Sequence, residues 1–319
     1  MALKDLVKKK RETDFYFFSG KGGVGKTSAS AATALWLSQK QKKKVLVISV
    51  DPAHSLSDSV EMKIGHEVKK LKNNLYGLEI DPKKAVAEYK ERFSPQLEKI
   101  EFLKGAGLED MFDMAGMTPG IDEIAAFDKF LHYMNSDDYD VIIFDTAPTG
   151  HALRFLSLPD VLDSWIGKMI KLRMKFSGMV GIFKKLIPFA EDQGNDSMGT
   201  EQLDAMKERI QEANKLLSDP KRTHFNIVMI PENMSIFESE RLIGTLKEYN
   251  IPVNTIIINQ LIPDNPTCKF CTEKRKIQQE RVKLIKEKFK GLKILEMSLF
   301  KEEVTGFDML EKAAEKLYS

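Results

Sequence analysis

Gly20, Gly25, Lys26 and Thr27 fit the pattern G-x-x-x-x-G-K-[ST], with Lys21, Gly22, Gly23 and Val24 between its two glycines. That spacing can hold a chain of phosphates. Successive backbone N–H groups converge on the oxygens, the lysine reaches the β/γ-phosphates, and the hydroxyl ligates Mg2+. A Cβ at the glycines would block the turns that aim several N–H groups at one anion. Ser28 then continues into a helical run, whose N-terminal dipole adds partial positive charge.

Two carboxylates complete a hydrolytic set. Asp51 and Asp145 each end an apolar run and lead into turn-prone residues, where a segment can sense a γ-phosphate. Hydrolysis of ATP needs a water aligned on phosphorus, Mg2+ across the β/γ oxygens, and cations where charge spreads in the transition state. Asp51 would orient the water and accept its proton. Thr27 would bind Mg2+, Asp145 would hold a metal-bound water, and Lys26 and Lys21 would supply positive charge. His54 and His151 fall inside the same two segments without metal-ligand spacing or an adjacent nucleophile, and read as packing residues.

Cys268-Lys269-Phe270-Cys271 holds the only two cysteines, so no disulfide framework is being built. Two thiolates from one turn are half of the four-sulfur set of a structural zinc. A closed site then requires a second copy, a homodimer with zinc on its two-fold axis. A redox couple, a shared iron–sulfur cluster and two free thiols are the competing readings. The pair lies in a Pro- and Asn-containing loop, ahead of a long charged helix expected over 273–290.

The elements that must position these residues are buried strands. Phe15–Phe18, Val45–Val50, Leu75–Ile80, Val141–Phe144, Phe225–Ile230, Thr255–Ile258 and Ile294–Met297 are short apolar runs separated by helical segments. This is the pattern of an α/β protein with a doubly wound, mainly parallel sheet, whose ligands bind beyond the carboxyl ends of the strands. Asp51, Asp145, Glu232 and Asn259 all fall at or just after such ends.

Two stretches break the alternation and read as helical insertions, 85–130 and 161–203, leaving 1–84, 131–160 and 204–319 to the nucleotide-binding domain. The first is predominantly acidic; the second is basic and free of acid between Ser164 and Ala190. Both are rich in methionine, including Met111, Met114, Met117, Met169 and Met174, with Phe176 nearby. Methionine-rich surfaces repack around apolar partners of varied shape. A plain core and a basic helix lying on a membrane are the alternatives.

A net charge of +2, 42% hydrophobic and 30% charged residues describe an ordinary globular chain with no call for nucleic acid. No apolar run reaches the length of a membrane span and the N-terminus lacks a signal-peptide core, so a cytoplasmic protein is expected.

The loop G-K-G-G-V-G-K-T, with Lys21 directly after the first glycine, resembles the deviant phosphate loop of the ATPases that include the nitrogenase iron protein and the cell-division positioning ATPases. Together with Asp51-Pro-Ala-His-Ser, Asp145-Thr-Ala-Pro-Thr-Gly-His, Glu232, Ile258-Asn259-Gln260 and the Cys-x-x-Cys, it is similar over nearly the whole chain to the arsenite-pump and tail-anchored-protein targeting ATPase family. The resemblance implies a homodimer in which Lys21 reaches the partner's nucleotide, a catalytic Asp51, and nucleotide contacts from Glu232 and Asn259. It also implies an adenine-side loop over 298–305, although relatives usually carry proline where Ser298 stands. The activity implied is ATP-driven capture of a hydrophobic membrane tail in a groove made by the insertions of two subunits, followed by delivery through a membrane receptor. An arsenite pump subunit is the alternative within the family; those pumps usually fuse two such halves and carry extra cysteines. An ATP-gated iron–sulfur carrier is the alternative of another class.

Overall fold

The computed structural model describes residues 13–51, 55–97, 129–146, 208 and 211–318. Met111, Met114, Met117, Met169, Met174 and Phe176, together with His54 and His151, lie outside them. Among the described residues eight strands form one sheet: β1 Asp14–Ser19, β2 Val45–Ser49, β3 Lys69–Lys72, β4 Leu75–Glu79, β5 Val141–Asp145, β6 Thr223–Met229, β7 Val253–Leu261 and β8 Lys293–Ser298. Their order is β3-β4-β2-β5-β1-β6-β7-β8. All pairings are parallel except β3 with β4.

Side chains alternate across these strands and feed two cores. Phe15 and Phe17 of β1 and Leu46 and Ile48 of β2 face one layer; Phe18, Val45 and Val47 face the other. The first layer is closed by helices α3 (Pro82–Leu97), α4 (Asn233–Glu248) and α5 (Lys269–Lys288), with helical stretches at 129–134 and 211–217. The second is closed by α1 (Lys26–Gln39), α2 (Ser55–Val60) and α6 (Gly306–Tyr318). Cover on both faces explains why β2 and β5 are buried at every position and read as unbroken apolar runs. Phe17 is fully buried and stacks between Phe144 and Phe225, with ring centroids 5.0 and 5.5 Å away. That stack ties the central strand to both neighbours.

Two elements differ from the sequence expectation. β3 has no apolar run to announce it, because Lys69, Lys70 and Lys72 are exposed and only Leu71 is buried. It is an edge strand returned onto β4 through Asn74, whose φ of 58° suits the tight turn. Lysines on such an edge deter pairing with another chain. Helix α5 begins at Lys269, not near Glu273, so Cys271 sits in its first turn while Cys268 stands just before it as the N-cap residue.

Candidate nucleotide-binding site

β1 enters the sheet centre between β5 and β6, and its carboxyl end runs straight into Gly20–Thr27. Phe18 is in register with Asp145 and with Asn226, and Ser49 is also level with Asp145. The ends of β1, β2, β5 and β6 thus share one height, where the loop projects. Gly20 has φ 155°, and a Cβ there would fall onto the Val228 carbonyl oxygen of β6. Gly25 is left-handed at φ 90°, and a Cβ would collide with the Asn259 amide. The two glycines of the pattern are therefore demanded by close backbone approach as well as by turn shape.

Gly25 caps α1 without a side-chain hydrogen bond, and no acidic residue occupies the helix's first turn. The leading N–H groups of α1 are thus left for an anion. Lys26 is buried and its Nζ donates to the Lys21 carbonyl oxygen at 3.2 Å. Burial pulls its pKa down, while the charges of Asp145 and Asp51 push it back up. This is a cation held at the loop, waiting on a weak neutral acceptor.

Asp145 is buried, and among the described residues no donor meets either carboxylate oxygen in full hydrogen-bond geometry, the Thr27 hydroxyl being the nearest influence. Burial raises its pKa to about 7 and the charge of Asp51 adds to this, against the lowering pull of the Thr27 hydroxyl and the Lys26 ammonium. The Thr27 hydroxyl is itself shared with Ser55 Oγ at 3.2 Å. A buried carboxylate beside a hydroxyl, with no strong donor on it among the described residues, is a set of oxygens that fits the shell of Mg2+, a hard cation taking oxygen ligands.

Asp51 follows β2, with its amide on Ser49 Oγ at 3.3 Å. The segment after it re-enters as α2, where Glu79, buried at the end of β4, accepts from both the amide and the hydroxyl of Ser57. Asn259 is also buried, its Nδ2 donating to the Val24 carbonyl oxygen at 2.9 Å. Gln260 Nε2 donates to the Gly23 carbonyl oxygen at 3.1 Å. Glu232 precedes α4 as its N-cap residue and reaches Lys274 of α5 at 4.0 Å; its side chain is exposed and holds no part of the loop through a described hydrogen bond.

Sequence reasoning singled out neither Glu79 nor Gln278. Glu79 carried a signal, a carboxylate closing the apolar run of β4. Gln278 also carried one, since it falls at helical spacing with Val282 and Ile285 on the buried face of α5. A further cluster joins the turn before α3 to the helical stretch at 129–134. His66 accepts from the Asp81 amide at 2.9 Å, and its Nε2 lies 3.2 Å from Glu88 of α3 and 2.7 Å from Lys129.

The cysteine thiols are free and partly exposed, and Cys268 caps α5 by accepting from the Cys271 amide at 3.3 Å. Among the described residues no group of three or more His, Cys, Asp or Glu side chains could hold a metal. Nor is any helix there long and apolar enough to cross a membrane.

A family profile described as anion-transporting ATPase matches residues 13–319. ATPase GET3 of Podospora anserina is 38% identical over 312 residues, covering 96% of this chain and 91% of that protein. ATPase get3 of Schizosaccharomyces pombe is 38% identical over 304 residues, covering 94% and 90%. ATPase GET3B of Arabidopsis thaliana is 36% identical over 320 residues, covering 93% and 76%. With a phosphate loop at the centre of a doubly wound sheet and relatives of this identity across its length, the chain belongs to the anion-transporting ATPase family and is an ATP-hydrolysing enzyme.

Proposed function

We propose that this enzyme works as a cytoplasmic homodimer that captures the hydrophobic C-terminal membrane segment of other proteins and delivers it to a membrane receptor, cycling with ATP. The observation that carries the reading is the near full-length identity to proteins named GET3, joined to the loop geometry above. The two Met-rich stretches add to it. A membrane tail of about 20 apolar residues is about 30 Å long as a helix, which calls for a surface spanning two subunits.

In the chemical step Lys26 exchanges the neutral Lys21 carbonyl for anionic phosphate oxygens, gaining a full charge–charge attraction. The N–H groups of Gly20–Ser28 hold the remaining oxygens, and Lys21 contributes charge to the partner's nucleotide. Asp51 orients the attacking water and takes its proton. Thr27 would bind Mg2+ and Asp145 would hold a water of its shell; the ion neutralises phosphate charge when bound. Asn259 and Glu232 border the nucleotide, Asn259 through its grip on Val24. Cys268 and Cys271 would hold half of a zinc site shared with the second subunit.

Co-expression with a tagged tail-anchored protein tests the reading: a soluble complex should co-purify. Aspartate at Met111, Met114 and Met117, or at Met169, Met174 and Phe176, should abolish capture while ATP hydrolysis persists. Absence of any complex with wild type, combined with ATPase stimulation by arsenite, would favour the pump reading that the family's anion-transporting description suggests. Capture retained by folded aspartate variants would place the groove elsewhere.

A further inference from the structure

We propose that Gln260 is a positioning residue of the phosphate loop and that Gln278 on α5 sets its conformation. The proposal rests on the reading of Gly20–Thr27 as the nucleotide site.

The Gly23 carbonyl is held by Gln260 Nε2 at 3.1 Å and the Val24 carbonyl by Asn259 Nδ2 at 2.9 Å. Among the described residues there is no cis peptide. Across a planar trans peptide the N–H of the next residue points opposite to the carbonyl. Drawing these two carbonyls toward β7 therefore turns the Val24 and Gly25 N–H groups away from it, as donors for an anion. The loop's donors are aimed by its carbonyls, and β7 holds the carbonyls.

Consecutive residues of a regular strand face opposite sides, so one side of β7 should offer Asn259 or Gln260 but not both. The strand breaks there. Pairing with β8 shifts register between Ile258 and Leu261, and Gln260 takes the left-handed conformation at φ 58°. This bulge lets two neighbouring side chains serve one loop.

Glutamine has no local preference for that conformation, so something must hold it. The Gln260 amide donates to Asn259 Oδ1 at 2.7 Å, and its carbonyl accepts from Gln278 Nε2 at 3.1 Å. Gln278 Oε1 in turn accepts from the Ile262 amide at 2.8 Å. One buried side chain of α5 thus grips the bulge on both sides of Leu261. Its two amide ends match one acceptor and one donor, which neither glutamate nor leucine reproduces.

The test titrates ADP carrying a fluorescent ribose label, with Mg2+, into the purified full chain, and measures ATP turnover beside it. Gln260→Gly removes the tether while accepting the left-handed backbone. It should weaken ADP binding and raise the KM for ATP by roughly tenfold, with kcat within about twofold, the scale of one lost hydrogen bond. Gln278→Glu keeps the acceptor for Ile262 but loses the donor to Gln260, and should weaken ADP binding about threefold. The double variant should bind no more weakly than Gln260→Gly alone, because both changes act through one tether. Wild-type ADP affinity in Gln260→Gly, or losses that multiply in the double variant, would overturn the proposal. So would a Gln278→Glu protein that melts earlier with an unchanged KM. Lys26→Ala tests the loop itself: wild-type ADP affinity there would mean that the nucleotide binds elsewhere and that the underlying reading is wrong.

Discussion

The Ser57 hydroxyl donates to Glu79 Oε2 at 2.7 Å while the Ser57 amide donates to Oε1 of the same buried carboxylate, also at 2.7 Å. The hydroxyl oxygen accepts as well, from the Ile64 amide at 3.0 Å. Helix α2 has six residues, too few to hold itself. Ser57 therefore fixes both the helix and the turn beyond it to the end of β4. Ser57→Ala should cost about 1–3 kcal/mol in urea unfolding, since it removes the acceptor of the Ile64 amide and the hydroxyl's bond to Glu79. Because α2 follows Asp51, turnover should fall several-fold while ADP affinity holds. Unchanged turnover in the variant would mean that Asp51 is placed without α2.

Asp51→Asn separates binding from chemistry. The amide keeps the carboxylate's shape but cannot take a proton from water, so ATP should still bind while turnover falls by about 100-fold or more. Lys26→Ala should act on binding itself. Wild-type turnover in Asp51→Asn, measured by phosphate release, would remove the carboxylate from the mechanism.

Asp145 makes the nucleotide-free protein pH-sensitive. Its carboxyl ionises near 3.8 when unfolded and about 7 when folded, because burial disfavours the charge. Between those values the folded chain binds more protons than the unfolded one, so the group's stabilising contribution is complete below the lower value and lost as pH rises through the upper. Asp145→Asn removes that loss. Without nucleotide, the variant should melt several degrees above wild type at about pH 8, with a smaller gain near pH 5. With Mg2+ and ATP the order should reverse at pH 8, the charge now being needed. An equal gain at both pH values would show that the carboxyl does not titrate across this window.

The parallel strands and the loop were legible because each obeys a local rule. Short apolar runs announce strands covered on both faces, and Gly20 to Thr27 is contiguous. β3 was not legible, since an exposed lysine-rich edge strand is defined by its partner β4 and not by its own pattern. The start of α5 was masked by Pro and Asn residues upstream, although Cys268 itself supplies the cap. Glu79, His66 and Gln278 were visible only as residues of the right type on a buried face. Their roles come from contacts with Ser57, Lys129 and Gln260, which sequence spacing does not encode.

The placement of Cys268 as the N-cap of α5 and of Cys271 in its first turn sharpens the zinc prediction. The Cys271 thiol and amide both donate toward Cys268, and together they lower the Cys268 pKa while the Cys271 pKa is raised. Metal binding needs thiolates, so Cys268 should be the first ligand to engage and the first to react with iodoacetamide in metal-free protein. Phe270 stands between the two and is 73% exposed, an apolar ring that a second subunit would cover. Purified protein should carry about one zinc per two chains. Cys268→Ser should lower both metal content and dimer stability in light scattering. Phe270→Ala should weaken the dimer while leaving two thiols able to bind metal. A zinc-free, fully reduced protein that remains an equally stable dimer would assign the cysteines to redox chemistry or to no role in assembly.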